Sequence, residues 1–202
     1  MGAPELHGGP IPEGGEPWRA LFAGRNANEI LKIVVTEDRL ELWPRCADRL
    51  LERCYLVDME RLFARTAARI AYAGQTYNGV PEFRDFLQER IDYSIDELMR
   101  EDREDERAGK PLLPGEDARF TFVSQVLGME LGVTRRGVCQ FNVLDERMRH
   151  AFFALVVQTK RLRRYVAEGF GPPERIDEFL RVAFEQLGAP YDDWLRQGGE
   201  KP

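Results

Sequence analysis

Histidine is almost absent from this 202-residue chain; His7 and His150 are its two examples, so no histidine relay and no multi-histidine metal site can be assembled. Cysteine is scarce as well. Cys46, Cys54 and Cys139 are an odd number without Cys-x-x-Cys spacing. Cys46 and Cys54 would stand about 12 Å apart on a continuous helix, too far to bridge. Three buried or half-buried thiols in a reducing cytoplasm are expected. No apolar run approaches the roughly 18–20 residues of a membrane helix, and the opening MGAPELHGGPIPEGGEP lacks a basic start followed by an apolar stretch. Neither secretion nor a membrane span is expected. Phosphate-binding glycine loops of the Gly-x-x-x-x-Gly-Lys-Ser/Thr or Gly-x-Gly-x-x-Gly kind are missing too, so no nucleotide cofactor is expected.

What the chain does have is material for a core. Hydrophobic residues make up 43% and include 12 Phe, against 32% charged, too apolar a mixture for a disordered chain. The length allows one domain or two helical domains of roughly 70–90 residues each. The net charge of −6 excludes a protein whose whole surface is a phosphate-binding field, so any nucleic-acid contact must be local.

The apolar spacing predicts an all-α chain. Residues 1–17 carry five Gly and four Pro, and 1–27 is expected to be a flexible leader. From Asn28 the pattern turns periodic, read as helix although IVV followed by LELW also suits a strand pair. Pro44 is placed to start a helix running to about Tyr72 with a break near Leu56. TYNGVP is a turn, and the helix after it buries Phe83, Phe86, Leu87, Ile91, Ile95 and Leu98. Charges at 100–107 carry that helix into solvent. A linker over 103–120 then separates an N-terminal domain, 28–102, from a C-terminal domain, 121–188. Thr121 to Leu131 reads as helix, although its apolar run also suits a strand. Leu144 and Asp145 open a helix with Met148, Phe152, Leu155 and Val156 in one stripe, followed by a short helix at Leu162 to Glu168. A glycine and proline turn leads to a helix from Pro173 to Gly188, which buries Ile176, Phe179, Leu180, Ala183 and Leu187, and 189–202 is a tail. A short helix, a glycine turn and a final amphipathic helix describe a helix-turn-helix unit.

Residues 141–187, FNVLDERMRHAFFALVVQTKRLRRYVAEGFGPPERIDEFLRVAFEQL, resemble the promoter-reading C-terminal domain of bacterial RNA polymerase sigma factors, particularly the extracytoplasmic-function group. Leu144, Asp145 and Arg149 echo that family's Leu-Pro-x-x-x-Arg opening. Val166-Ala167-Glu168 and Phe170-Gly171 echo its Ile-Ala-x-x-Leu-Gly stretch. Residues 58–102 are similar to the family's N-terminal domain, with Phe83-Arg84-Asp85-Phe86-Leu87 in place of Phe-Arg-x-Trp-Leu. The resemblance covers somewhat under half the chain and implies docking on RNA polymerase core, with Asp58, Glu60, Arg61 and Arg65 as the docking residues.

The departures bear on function. The last helix, 173–187, sets Glu174, Asp177, Glu178 and Glu185 against Arg175 and Arg181 alone, and carboxylates are repelled by phosphate. The cations sit one element earlier, at Lys160, Arg161, Arg163 and Arg164 with Arg147 and Arg149 nearby, as a solvated face or as a contact to phosphate or an acidic partner. Arg84, Arg90, Tyr93 and Arg100 suit unpaired bases, but Asp85, Glu89, Asp92, Asp96 and Glu97 offset them. The DNA-binding candidates are therefore Lys160, Arg161, Arg163, Arg164, Arg175 and Arg181.

No catalytic, cofactor or metal residues are expected. Glu146 and His150 read as an ordinary surface pair, and the carboxylates of 101–106 lack the glycine-spaced loop of a calcium site. Trp18, Trp43 and Trp194 are expected to pack in cores, with anchoring of a partner as the other reading. The leading expectation is a cytoplasmic, non-enzymatic transcription regulator that docks on polymerase or another protein, with weak or lost direct DNA readout. The alternative is a helical protein–protein module unrelated to transcription.

Overall fold

The computed structural model describes residues 15–111 and 131–196. Among them are ten α-helices and no strand, so the chain is all-α. The expected helix at Thr121–Leu131 lies outside the described residues except for its last position, as do residues 112–120 of the expected linker and 197–202 of the tail.

Contacts divide the chain into two compact units, residues 1–46 with 63–94, and residues 47–62 with 95–202. This division differs from the expected sequential one at 103–120. Residues 47–62 and 95–102 group with the C-terminal part, and position 103 falls inside a helix that runs unbroken from Phe83 to Arg107.

In the first unit, α1 (Gly15–Phe22) corrects the expectation of a leader reaching to residue 27. Pro17 and Glu16 sit in its first turn, where a missing N–H and a negative charge are tolerated or favoured. Trp18 and Phe22 follow four residues apart and are both buried. α2 (Ala27–Val35) begins with a capping box: Asn26 Oδ1 accepts from the Asn28 and Glu29 N–H groups at 3.0 and 3.1 Å, and Glu29 Oε2 accepts from Asn26 N–H at 2.8 Å. That cap, with Ile30, Ile33 and Val34 buried behind it, settles the segment as helix rather than strand. The core is aromatic. Trp18 stacks on Phe83 with centroids 4.4 Å apart, and Tyr77 lies 4.7 Å from Phe86 and 5.8 Å from Phe83.

α3 (Leu42–Arg53) carries Pro44 in its first turn and ends as expected before Leu56, where Cys54 takes a left-handed φ of 53°. α4 (Met59–Gly74) follows, and α5 (Phe83–Arg107) is the longest helix described.

The second unit packs around Phe141, Phe152, Tyr165, Leu180 and Phe184. α6 (Leu131–Phe141) meets α9 (Pro173–Leu187) at Gly137, where a Cβ would stand 2.4 Å from the Leu187 carbonyl oxygen. Arg135, also on α6, donates to Glu106 Oε2 at 2.8 Å and to the Lys110 carbonyl at 2.6 Å. α7 (Glu146–Phe152) is capped by Asp145, which accepts from Arg147 N–H at 2.9 Å, and runs on into a π turn over Phe153–Val157. Thr159, with φ 51°, ends it. α8 (Leu162–Ala167) is one and a half turns long, and α9 stops at left-handed Gly188. The expected tail instead begins with α10 (Tyr191–Arg196), whose Tyr191 and Trp194 pack on Phe184.

Asn142 joins two distant stretches of this unit. Buried in the turn after α6, its side-chain amide accepts from Leu56 N–H and donates to Leu56 C=O, both at 2.9 Å. The segment between α3 and α4 is pinned in this way.

Candidate functional site

Among the described residues no three or more His, Cys, Asp or Glu side chains could hold a metal ion, and no helix is long and apolar enough to cross a membrane. Burial pushes the Cys46 thiol up to about 12 and the Cys54 thiol up to about 11. Both stay protonated near neutrality and are poor nucleophiles.

The chemistry the surface offers is charge. Four cations lie where α8 begins, and a single carboxylate engages two of them. Glu168 accepts from Lys160 Nζ through Oε2 and from Arg164 Nε through Oε1, the latter at 3.2 Å. Its carboxyl is held below the usual range mainly by the Lys160 hydrogen bond. Arg161 and Arg163 are exposed and make no ion pair among the described residues.

On α9 the outward side is acidic, with Glu174, Glu178 and Glu185 exposed. Arg181 Nε donates to Asp177 Oδ2 at 2.7 Å and its guanidinium lies over the Tyr191 ring at 4.7 Å. Arg175 lies over Phe179 at 5.4 Å. Of the six candidate DNA contacts, three are thus engaged by carboxylates, and Arg161, Arg163 and Arg175 make no ion pair among the described residues.

The four candidate docking residues do not form one exposed set. Asp58 is buried and caps α4, its Oδ1 accepting from Arg61 N–H at 2.7 Å. Arg61 is bound to Asp102 and Glu101, each at 3.1 Å. Glu60 is exposed and Arg65 half-buried. Asp followed by an apolar helical repeat is an N-cap signature, so the role of Asp58 was open to sequence reasoning.

Arg149, which echoes the family opening, is buried rather than part of a basic surface. Its Nη1 donates to the Asn142 carbonyl at 3.1 Å and its guanidinium lies 4.0 Å from the Tyr55 ring centroid. Arg147 is exposed. On α5, Arg84 and Tyr93 are exposed, while Arg90 is paired with Glu89 and lies over the Phe86 ring at 5.0 Å. Arg100 stands 3.9 Å from both Glu97 and Glu104.

His150 is bonded through Nδ1 to the Tyr165 hydroxyl at 2.8 Å and faces Phe170 at 4.5 Å, in place of the expected surface pairing with Glu146. Trp18 is core, Trp194 is half-buried, and Trp43 is 45% exposed beside Phe63, which corrects the expectation of packing for that residue.

No protein-family model matches the chain, and no curated protein or solved structure is significantly similar to it.

Proposed function

We propose that this chain is a divergent sigma-factor-like transcription regulator that docks on RNA polymerase and has weak or no DNA readout of its own. The observation that supports the reading most is the run of α7, α8 and α9 in the segment that resembles the promoter-reading domain. In this reading α8, the turn at 168–172 and α9 form a helix-turn-helix, with α9 in the position of the recognition helix. Base edges in the major groove are read by arginine, lysine and amide side chains. The α9 exterior offers three exposed glutamates, with Arg181 tied to Asp177, so it repels a duplex. The chain then acts as an adaptor on polymerase, and Arg161 and Arg163 supply its local phosphate contact.

Size-exclusion chromatography of the chain with core RNA polymerase tests the docking. Co-elution at equal molar ratio is expected. Separate elution at micromolar concentrations favours the alternative, a helical interaction module unrelated to transcription.

The ion pairs allow a sharper prediction. In the polymerase-bound state, replacing Arg161 and Arg163 together with alanine should make the plot of log affinity against log salt shallower by about 2, the value for two lost phosphate contacts. Glu168→Gln should tighten DNA binding, because Lys160 and Arg164 are released. An unchanged slope in the double variant together with unchanged affinity in Glu168→Gln would remove the cluster from the interface.

A further inference from the structure

Tyr165 is 2% exposed, and its hydroxyl has His150 Nδ1, at 2.8 Å, as its one hydrogen-bond partner among the described residues. A single proton arrangement satisfies both groups: the imidazole is neutral, carries its hydrogen on Nε2, and accepts the tyrosine O–H at Nδ1. A proton on Nδ1 reverses the bond. The tyrosine oxygen then accepts, and its own hydrogen is left inside the core without an acceptor. Phe170 completes the cluster, with its ring centroid 4.5 Å from those of both Tyr165 and His150, so the turn after α8 is held to α7 through the same contacts.

We propose that the His150–Tyr165 hydrogen bond is a pH-sensitive latch: protonating the imidazole deprives the buried hydroxyl of its acceptor, so that acidification loosens α8 and the 168–172 turn from α7.

The charges around the ring act in both directions. Lys160, in the loop before α8, opposes an imidazolium, while Glu146 on α7 and Glu168 after α8 favour one. The Glu168 carboxylate is already held by Lys160 and Arg164, which weakens its pull. Burial first, then Lys160, holds the imidazole below its ordinary 6.5. The unfolded chain therefore takes up the proton at higher pH than the folded one. The stabilisation is complete above 6.5 and declines as pH falls through the folded value. The latch does not depend on what the unit binds.

With two histidines in the chain, an NMR titration of the imidazoles of the full protein separates His150 from His7. His150 should titrate below the ordinary 6.5 of an imidazole, and Tyr165→Phe should move it upward, because the O–H that favoured the neutral ring is gone. Thermal unfolding from about pH 8 to about pH 5, the range over which histidine changes charge, provides the second test. His150→Asn presents an acceptor that takes no proton, so it should lose less Tm on acidification than the wild type, and it decides the matter if Tyr165→Phe does not fold. Titration of His150 at or above 6.5, or equal Tm losses in His150→Asn and wild type, would overturn the proposal.

Discussion

Gly137→Ala is expected to destabilise the second unit by about 3 kcal/mol, although alanine is the better helix former. In an unobstructed helix interior the substitution gains about 1 kcal/mol. Here the new methyl group would stand 2.4 Å from the Leu187 carbonyl oxygen and 2.8 Å from its carbon. Those are backbone atoms at the end of α9, and no rotamer change can move them aside. Overpacking costs about 1–3 kcal/mol where side chains can yield and more where backbone must, so the steric term outweighs the propensity gain. A chain of this size loses about 2–4 °C of Tm per kcal/mol, which puts the expected drop near 6–12 °C. A Tm equal to or above that of the wild type would mean that α6 and α9 do not approach as described.

The second large effect lies in the turn after α6. Asn142→Ala removes the side-chain acceptor for Leu56 N–H and the side-chain donor to Leu56 C=O at once, and with them the direct tie between the turn after α6 and the segment before α4. Removing a buried hydrogen-bond partner costs about 1–3 kcal/mol, so a loss of about 2 kcal/mol is expected. Urea unfolding gives the magnitude, and hydrogen exchange gives the place: the Leu56 amide should exchange much faster relative to the α9 core amides. A loss below about 1 kcal/mol with Leu56 still protected would show that the segment between α3 and α4 is held by other contacts.

These two positions also show what could be read in the sequence. Helix ends were legible where a cap announces them. Asp145 before α7, Pro173 at the start of α9 and Gly188 after it all fall where local chemistry places them. The buried faces of α5 and α9 follow the three-and-four spacing that sequence alone displays. Asn142, by contrast, looks like an ordinary turn residue, because its partner lies 86 positions away. Gly137 looks like a weak point in a helix, since nothing local reports that another backbone passes within van der Waals distance. α1 was hidden by its neighbours: the Gly and Pro content of the opening suggested a leader, and the four-residue spacing of Trp18 and Phe22 was too short a signal to outweigh it.

For the candidate site, composition was legible and pairing only in part. Arg164 with Glu168 and Arg181 with Asp177 stand four apart on their helices, a spacing at which opposite charges meet. Lys160 with Glu168 spans eight residues, and only the fold of the α8 corner brings them together. The burial of Asp58 and Arg149 likewise depends on tertiary packing. Asp58 and Arg149 are thereby occupied in holding the unit together and are not part of a charged surface.

In the proposed reading, the α7–α9 run reaches DNA only together with polymerase. The most direct test is a fluorescence anisotropy titration of a labelled duplex with the full chain, repeated over a salt series with and without core RNA polymerase. Binding that requires polymerase, with little salt-dependent binding by the chain alone, is the predicted result. Tight, steeply salt-dependent binding by the chain alone would contradict it, since an acidic α9 exterior could not then be the surface that faces the groove.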